Sequence, residues 1–256
     1  VTLDPTYAWP YHSLGLIYEQ RREYETALQY YQQAIERHEN QRHKAVLWYN
    51  VGNIYRESGQ YQESIEAQQQ AIELDAGLAL PWFGLGNVYA ALGRPQEAIE
   101  AYRRAIEQDP AEAWYSHNLS LVYEGLSQYE LAVRCYQQAI ERHRLDQEQA
   151  VSWHNLGNIY HQWGRYQEAL AALRRAIKLD PTSPLPWNSL GGVYKELGKP
   201  EQTVHAYRRA IAIDPTYAPP YNNLGFFFEQ QGEYDQAMAL YKQVIEHHQN
   251  DRDRAV

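Results

Sequence analysis

Trp153-His154-Asn155-Leu156-Gly157-Asn158-Ile159-Tyr160 decides the fold, because the chain writes this octet seven times with variations. The other copies are Tyr11–Tyr18 (YHSLGLIY), Trp48–Tyr55 (WYNVGNIY), Trp82–Tyr89 (WFGLGNVY), Ser116–Tyr123 (SHNLSLVY), Trp187–Tyr194 (WNSLGGVY) and Tyr221–Phe228 (YNNLGFFF). The small residue of each copy marks the register: Gly15, Gly52, Gly86, Ser120, Gly157, Gly191 and Gly225. The steps between them are 37, 34, 34, 37, 34 and 34 residues. A period of about 34 residues is that of a two-helix repeat. The three steps recur as a set, so a unit of 105 residues lies above the single repeat. Ala34-Ile35-Glu36-Arg37-His38 accordingly returns as Ala139-Ile140-Glu141-Arg142-His143, and Ala101-Tyr102-Arg103-Arg104 as Ala206-Tyr207-Arg208-Arg209.

Counting each repeat from Ala8, Ala45, Ala79, Ala113, Ala150, Pro184 and Ala218 makes the local physics explicit. At about 100° per residue, positions 4, 7, 8 and 11 share one face of a first helix. These are the aromatic, the leucine, the small residue and the tyrosine. Glycine at position 8 costs about 1 kcal/mol of helix propensity. Its return is close approach of a second helix, which offers alanines such as Ala27, Ala98, Ala132, Ala169 and Ala237. Gly59, Gly93, Gly164, Gly198 and Gly232 stand where first helices should end, since glycine accepts the left-handed conformation there. Pro95 and Pro200 stand where second helices begin and a missing N–H is harmless. Asp-Pro at 109–110, 180–181 and 214–215 closes second helices. Repeats one, four and seven carry instead the longer polar stretches His38–Lys44, His143–Gln149 and His248–Arg254, read as second helices extended by nearly a turn and then a solvated turn. Residues 1–7 resemble the close of a preceding repeat, and 255–256 the start of a following one. The reading is a single array over 1–256, cut from a longer multidomain protein.

The composition excludes several function classes. The 256 residues carry a formal net charge of −9, which disfavours duplex nucleic acid and acidic membrane surfaces as partners. Mean hydropathy is −0.70, and no run approaches the roughly 18 apolar residues of a membrane span. A single cysteine, Cys135, permits no internal disulfide and suits a reducing, cytoplasmic setting. No phosphate loop, nucleophile elbow or dinucleotide fingerprint occurs, so the chain itself reads as no enzyme and implies no cofactor. His247-His248 and the pair His38/His43 lack neighbours spaced to complete a metal site.

The fifth repeat reads Trp153, Leu156, Gly157, Tyr160, Ala169, Leu173, Ala176, Pro181, and the third Trp82, Leu85, Gly86, Tyr89, Ala98, Tyr102, Ala105, Pro110. This pattern resembles the tetratricopeptide repeat (TPR). Ser64 and Thr203 at the first alanine of the second helix, Gln68 at an aromatic and Val244 at the last alanine depart from it. The resemblance implies an all-α fold, a right-handed superhelical solenoid of seven helix–turn–helix repeats whose first helices line a concave groove. By helical arithmetic the groove arc holds positions 2, 5, 6, 9, 12 and 13. Amides recur there: Asn50, Asn118, Asn155 and Asn223 at position 6, Asn53, Asn87 and Asn158 at position 9, Asn188 and Asn222 at position 5. An amide both donates and accepts, so such a ladder suits the backbone of an extended peptide, as the asparagine ladders of O-GlcNAc transferase superhelices do. The same amides would equally satisfy neighbouring turns or water. Tyr49, Phe83, His117 and His154 lie between them, with Trp9, His12 and Trp114, as groove aromatics or as contacts to the next repeat.

Position 5 holds no lysine, so the family's clamp for carboxylate tails is disfavoured. In the arc Arg56 and Lys195 are outnumbered by Glu19, Glu57, Glu124, Glu196 and Glu229, which favours a basic or polar peptide. The resemblance therefore implies a protein- or peptide-binding scaffold. Regular bacterial arrays of this kind resemble the sensor domains of STAND-class signal-transduction ATPases, whose other domains would be further partners. Two alternatives stand beside this: an assembly spacer that associates end to end, and the substrate-recognition array of an enzyme whose catalytic domain lies elsewhere.

Overall fold

The computed structural model describes residues 7–254, with side chains through residue 246. The part-repeats read at 1–6 and 255–256, and the side chains of His247-His248, lie outside the described residues. Fourteen helices fill what is described, and no strand occurs among the described residues. Seven first helices, α1 (Trp9–Gln20), α3 (Gln41–Glu57), α5 (Ala79–Ala91), α7 (Ala113–Gly125), α9 (Asp146–Gln162), α11 (Leu185–Glu196) and α13 (Ala218–Gln230), alternate with seven second helices. The second helices are α2 (Tyr24–Arg37), α4 (Tyr61–Leu74), α6 (Pro95–Gln108), α8 (Tyr129–Arg142), α10 (Tyr166–Leu179), α12 (Pro200–Ile213) and α14 (Tyr234–Arg254). The fold class is the all-α solenoid of helical hairpins. Packing divides it into two units, residues 1–128 and 129–256. In each unit a second helix packs on the first helix of its own repeat and on that of the next. First helices of successive repeats also touch, α3 with α5, α5 with α7, α9 with α11 and α11 with α13.

The hairpins α1–α2, α3–α4, α5–α6, α9–α10, α11–α12 and α13–α14 close on the octet's small residue. A large side chain of the second helix lies across it: Tyr31 on Gly15, Tyr102 on Gly86, Leu173 on Gly157, Tyr207 on Gly191 and Tyr241 on Gly225. A Cβ on Gly157 would stand 2.7 Å from Leu173 Cγ. In the second repeat the buried Gln68 takes the aromatic's place against Gly52, and it donates from Nε2 to the Tyr49 carbonyl at 3.2 Å. Ser64, at an alanine position, donates to the Gly52 carbonyl at 2.6 Å, so its hydroxyl is satisfied across the same hairpin.

The buried stripe of the first helices is wider than the octet predicts. Position 10 is fully buried in four repeats (Ile54, Val88, Ile159, Val193), though Ile17 in the first repeat is 50% exposed, and position 3 is buried as Leu47, Tyr115 and Ser152. Position 7 is buried with them (Val51, Leu85, Leu119, Leu156, Leu190, Leu224). Trp48, Trp82, Trp153 and Trp187 at position 4, and Tyr55, Tyr89 and Tyr194 at position 11, are only half-buried. Within each unit the first helices α3, α5, α9, α11 and α13 are covered by two second helices, their own and the preceding one, so the apolar arc spans about half the circumference. The prominent aromatics form one edge of that arc, not its centre.

The polar stretches also differ from expectation. α2 ends at Arg37 and α8 at Arg142, and the added residues begin the next first helix instead, giving α3 and α9 17 residues each. Asn40 explains the first case: its extended backbone breaks the chain, and its side chain caps α3 by accepting from the His43 N–H at 3.1 Å. Only the last stretch continues a second helix, in the 21-residue α14.

Gly59, Gly93, Gly164, Gly198 and Gly232 end first helices with φ between 64° and 77°, while Arg22 and Ser127 hold the same left-handed corner at φ 61° and 56°. Arg22→Gly and Ser127→Gly are each expected to raise unfolding free energy by about 0.5–1 kcal/mol in chemical denaturation. Gly157→Ala is expected to lower it by about 1–3 kcal/mol despite alanine's better helix propensity, because overlap with Leu173 outweighs propensity. The loss in Gly157→Ala/Leu173→Ala should be smaller than the two single losses added.

Candidate functional site

The side of the first helices turned away from the second helices carries positions 2, 5, 6, 9, 12 and 13. Its polar groups follow a rule: position 5 of one repeat meets position 6 of the next. His12 Nε2 lies 3.5 Å from Asn50 Nδ2, His154 Nε2 lies 3.0 Å from Ser189 Oγ, and Asn223 Nδ2 donates to Asn188 Oδ1 at 2.9 Å. Tyr49 has Gly84 at the matching place, where any Cβ would strike Gln68. Phe83 turns to aromatic partners, with ring centroids 5.0 Å from Tyr115 and 5.9 Å from Tyr102. Part of the amide series therefore joins repeats to one another.

The expected site residues separate accordingly. Asn50, Tyr49 and Asn155 are half-buried. Asn87 Oδ1 accepts from Tyr102 OH at 2.8 Å, which leaves its Nδ2 protons. Asn188 keeps its Nδ2 and Asn223 its Oδ1. His117 is 5% exposed, so its ring is withdrawn from the open side, with Trp114 edge-on at 5.0 Å. Trp9 is likewise engaged, against His12, His38 and His43 at 5.1–5.9 Å. Asn53, Asn118 and Asn222 make no side-chain hydrogen bond among the described residues and keep both donor and acceptor.

Two features were not anticipated. Asn118 borders a cleft of about 390 Å³ lined by Ala90, Pro95, Leu121, Val122 and Leu126. Leu121 stands at position 9 where other repeats place asparagine, and is 43% exposed. In the other unit Asn222 shares its helix face with Phe226, exposed and covered by Lys195 Nζ at 5.2 Å from the ring. The leucine and phenylalanine were visible as breaks in the position-9 amides. Among the described residues no three His, Cys, Asp or Glu side chains converge on a metal position, and no helix is long and apolar enough to cross a membrane.

His154 is the most strongly perturbed of the imidazoles on this side. Its Nε2 accepts from Asn158 Nδ2 at 3.2 Å as well as meeting Ser189, which places the ring proton on Nδ1. Burial pushes its pKa down to about 4. Protonation of Nε2 would remove the acceptor that both neighbours use.

Models of the tetratricopeptide repeat match residues 8–41, 43–111, 77–145, 109–182 and 221–255, and a TPR repeat model matches 191–232. Among solved structures the chain is similar to the MamA protein, at 22% identity and a TM-score of 0.56, covering 70% of this chain and 96% of that one. It is similar to YrrB, a TPR protein with an unusual peptide-binding site, at 22% identity and TM-score 0.59, covering 74% and 95%. It is similar to PilF of Pseudomonas aeruginosa at 17% identity and TM-score 0.67, covering 82% and 97%. At these identities the likeness shows the fold alone. No curated protein sequence matches it.

A histidine held neutral below its unfolded pKa of about 6.5 stabilises the fold above that pH, and the stabilisation is lost as pH falls toward 4. His154→Asn is expected to flatten the fall in unfolding free energy between pH 6.5 and 4 by about 2–3 kcal/mol relative to the unsubstituted protein. Denaturant titrations across that range measure the difference.

Proposed function

We propose that this chain, which belongs to the tetratricopeptide repeat family, is a protein-binding scaffold that holds an extended peptide segment along the open side of its first helices. One observation carries the reading: Asn118, with both amide functions unused, stands beside the apolar cleft at Leu121. An amide that donates and accepts can pair with a peptide backbone without reading side chains, and an adjacent apolar cleft can take one side chain as anchor. Asn53 in the same unit offers a second open amide. The ligand is thus an extended segment with an aliphatic anchor and, since exposed Glu57 edges this side of the same unit, neutral or basic flanks.

The finer reading is that the scaffold is the sensor region of a larger cytoplasmic signalling protein of the STAND ATPase kind. The regularity of the repeats and the family resemblance support it, by analogy. Binding of the segment would then be the regulatory event, with the remaining domains as its readers.

Selection of a displayed random-peptide library on the unsubstituted protein tests the scaffold reading. Enriched peptides should carry an aliphatic residue, and Asn53→Ala/Asn118→Ala should weaken them at least about tenfold, roughly the loss of two hydrogen bonds. The thermal midpoint should not change, because neither amide has an internal partner. Enriched peptides that bind both proteins alike would overturn the proposal, and an assembly spacer would enrich none.

A further inference from the structure

On the opposite side of the repeats, the half-buried aromatics of positions 4 and 11 form the floor of clefts between successive second helices. Three such clefts share one design. Trp48, Val51 and Tyr55 floor one of about 500 Å³. Trp82, Leu85 and Tyr89 floor one of about 640 Å³, and Trp187, Leu190 and Tyr194 one of about 380 Å³. The floors match, but the walls do not. The Trp48 cleft is walled by Gln29, Gln32 and Gln33, and is neutral. The Trp82 cleft is walled by Glu73, Glu97 and Glu100.

The 105-residue register supplies an internal comparison for that acidic cleft. Trp82 and Tyr89 return as Trp187 and Tyr194, whereas Glu73, Glu97 and Glu100 return as Lys178, Gln202 and His205. In the later copy the chain puts its own cation on the indole: the Arg209 guanidinium lies 5.6 Å from the Trp187 ring centroid. The matching residue in the acidic copy, Arg104, is drawn off Trp82 by Glu100 at 3.1 Å and Glu107 at 3.2 Å. Arg94 occupies only the far end, 4.8 Å over Tyr89 and bonded to Glu97 at 2.9 Å through Nε. Trp82 is held in place by its Nε1 bond to the Ala76 carbonyl at 3.3 Å. Glu73 accepts only from Gln70, at 3.1 Å, and has no cation opposite it among the described residues. The cleft thus keeps one unpaired carboxylate and one indole face not covered by a cation, the two groups that recognise a guanidinium or ammonium together.

We propose that the cleft between α4 and α6 docks a basic side chain, arginine above all, carried by a partner protein, with the cation on the Trp82 indole and paired to Glu73. The chain is itself acidic, with a net charge of −9, which suits a basic partner and steers it toward this surface. This surface lies apart from the amide-bearing side, so the two can be occupied independently.

The test uses the indole N–H signals of the whole chain, titrated with an acetylated Gly-Arg-Gly amide peptide and with its citrulline counterpart, which has the same shape and no charge. Trp82→Phe identifies the Trp82 signal. The arginine peptide is expected to shift Trp82 saturably while Trp48 and Trp187 stay in place, and the citrulline peptide to shift none. Glu73→Gln, at an exposed position, should weaken binding about fivefold, as loss of one ion pair does, and Glu73→Lys should abolish it. An unmoved Trp82, equal shifts at all three indoles, equal action of citrulline, or binding unchanged in Glu73→Lys would each overturn the proposal.

Discussion

A helix with no side chain at its centre lets a tyrosine or leucine of the next helix lie directly on its backbone. That contact, repeated at Gly15, Gly86, Gly157, Gly191 and Gly225, sets the distance and rotation of those five hairpins. It is short-range and steric, and so unforgiving: the second helix cannot rotate without driving its ring into the first. The alanines beside it, such as Ala27, Ala98, Ala169 and Ala210, are fully buried because nothing larger fits at that spacing. Everything else on the first helix takes its direction from this one contact.

The rotation so imposed sorts the remaining positions by chemistry. Positions 3, 7 and 10 go inward against two second helices. Positions 4 and 11 are left at the edge, where their rings become the floors of clefts between second helices. Positions 5, 6 and 9 go to the open side. There polar groups serve two ends. The position 5 to position 6 bonds, such as Asn188 with Asn223, join neighbouring repeats. Asn53, Asn118 and Asn222 fall outside that pattern and keep their hydrogen-bonding capacity.

Much of this was legible from residue types alone. The period, the hairpin, the glycine turns and the identity of the open side all follow from the octet and its spacing, because local propensity and periodicity agree there. What was not legible depended on neighbours in space. The full burial of Ile54 and Val88 follows from cover by two helices, which a single helical face cannot show. His117 looked available because its withdrawal depends on how it packs. The three residues added after Arg37 looked like more of α2 because the sequence there is uniformly polar. Asn40, a residue that favours N-caps, is the signal that moves them to α3. The links from position 5 to position 6 could have been found as polar pairs 35 or 38 residues apart.

The account turns on a division among amides of one chemical type, some committed to holding repeats together and others open. Exchange of the side-chain NH2 protons with water, measured residue by residue in the free protein by nitrogen-resolved NMR, reads that division without a ligand. The expected result is slowed exchange at Asn223, whose Nδ2 is bonded to Asn188, and rapid exchange at Asn53, Asn118 and Asn222. Equal exchange across all four, or protection at Asn118 and Asn53, would contradict the assignment of these residues to recognition.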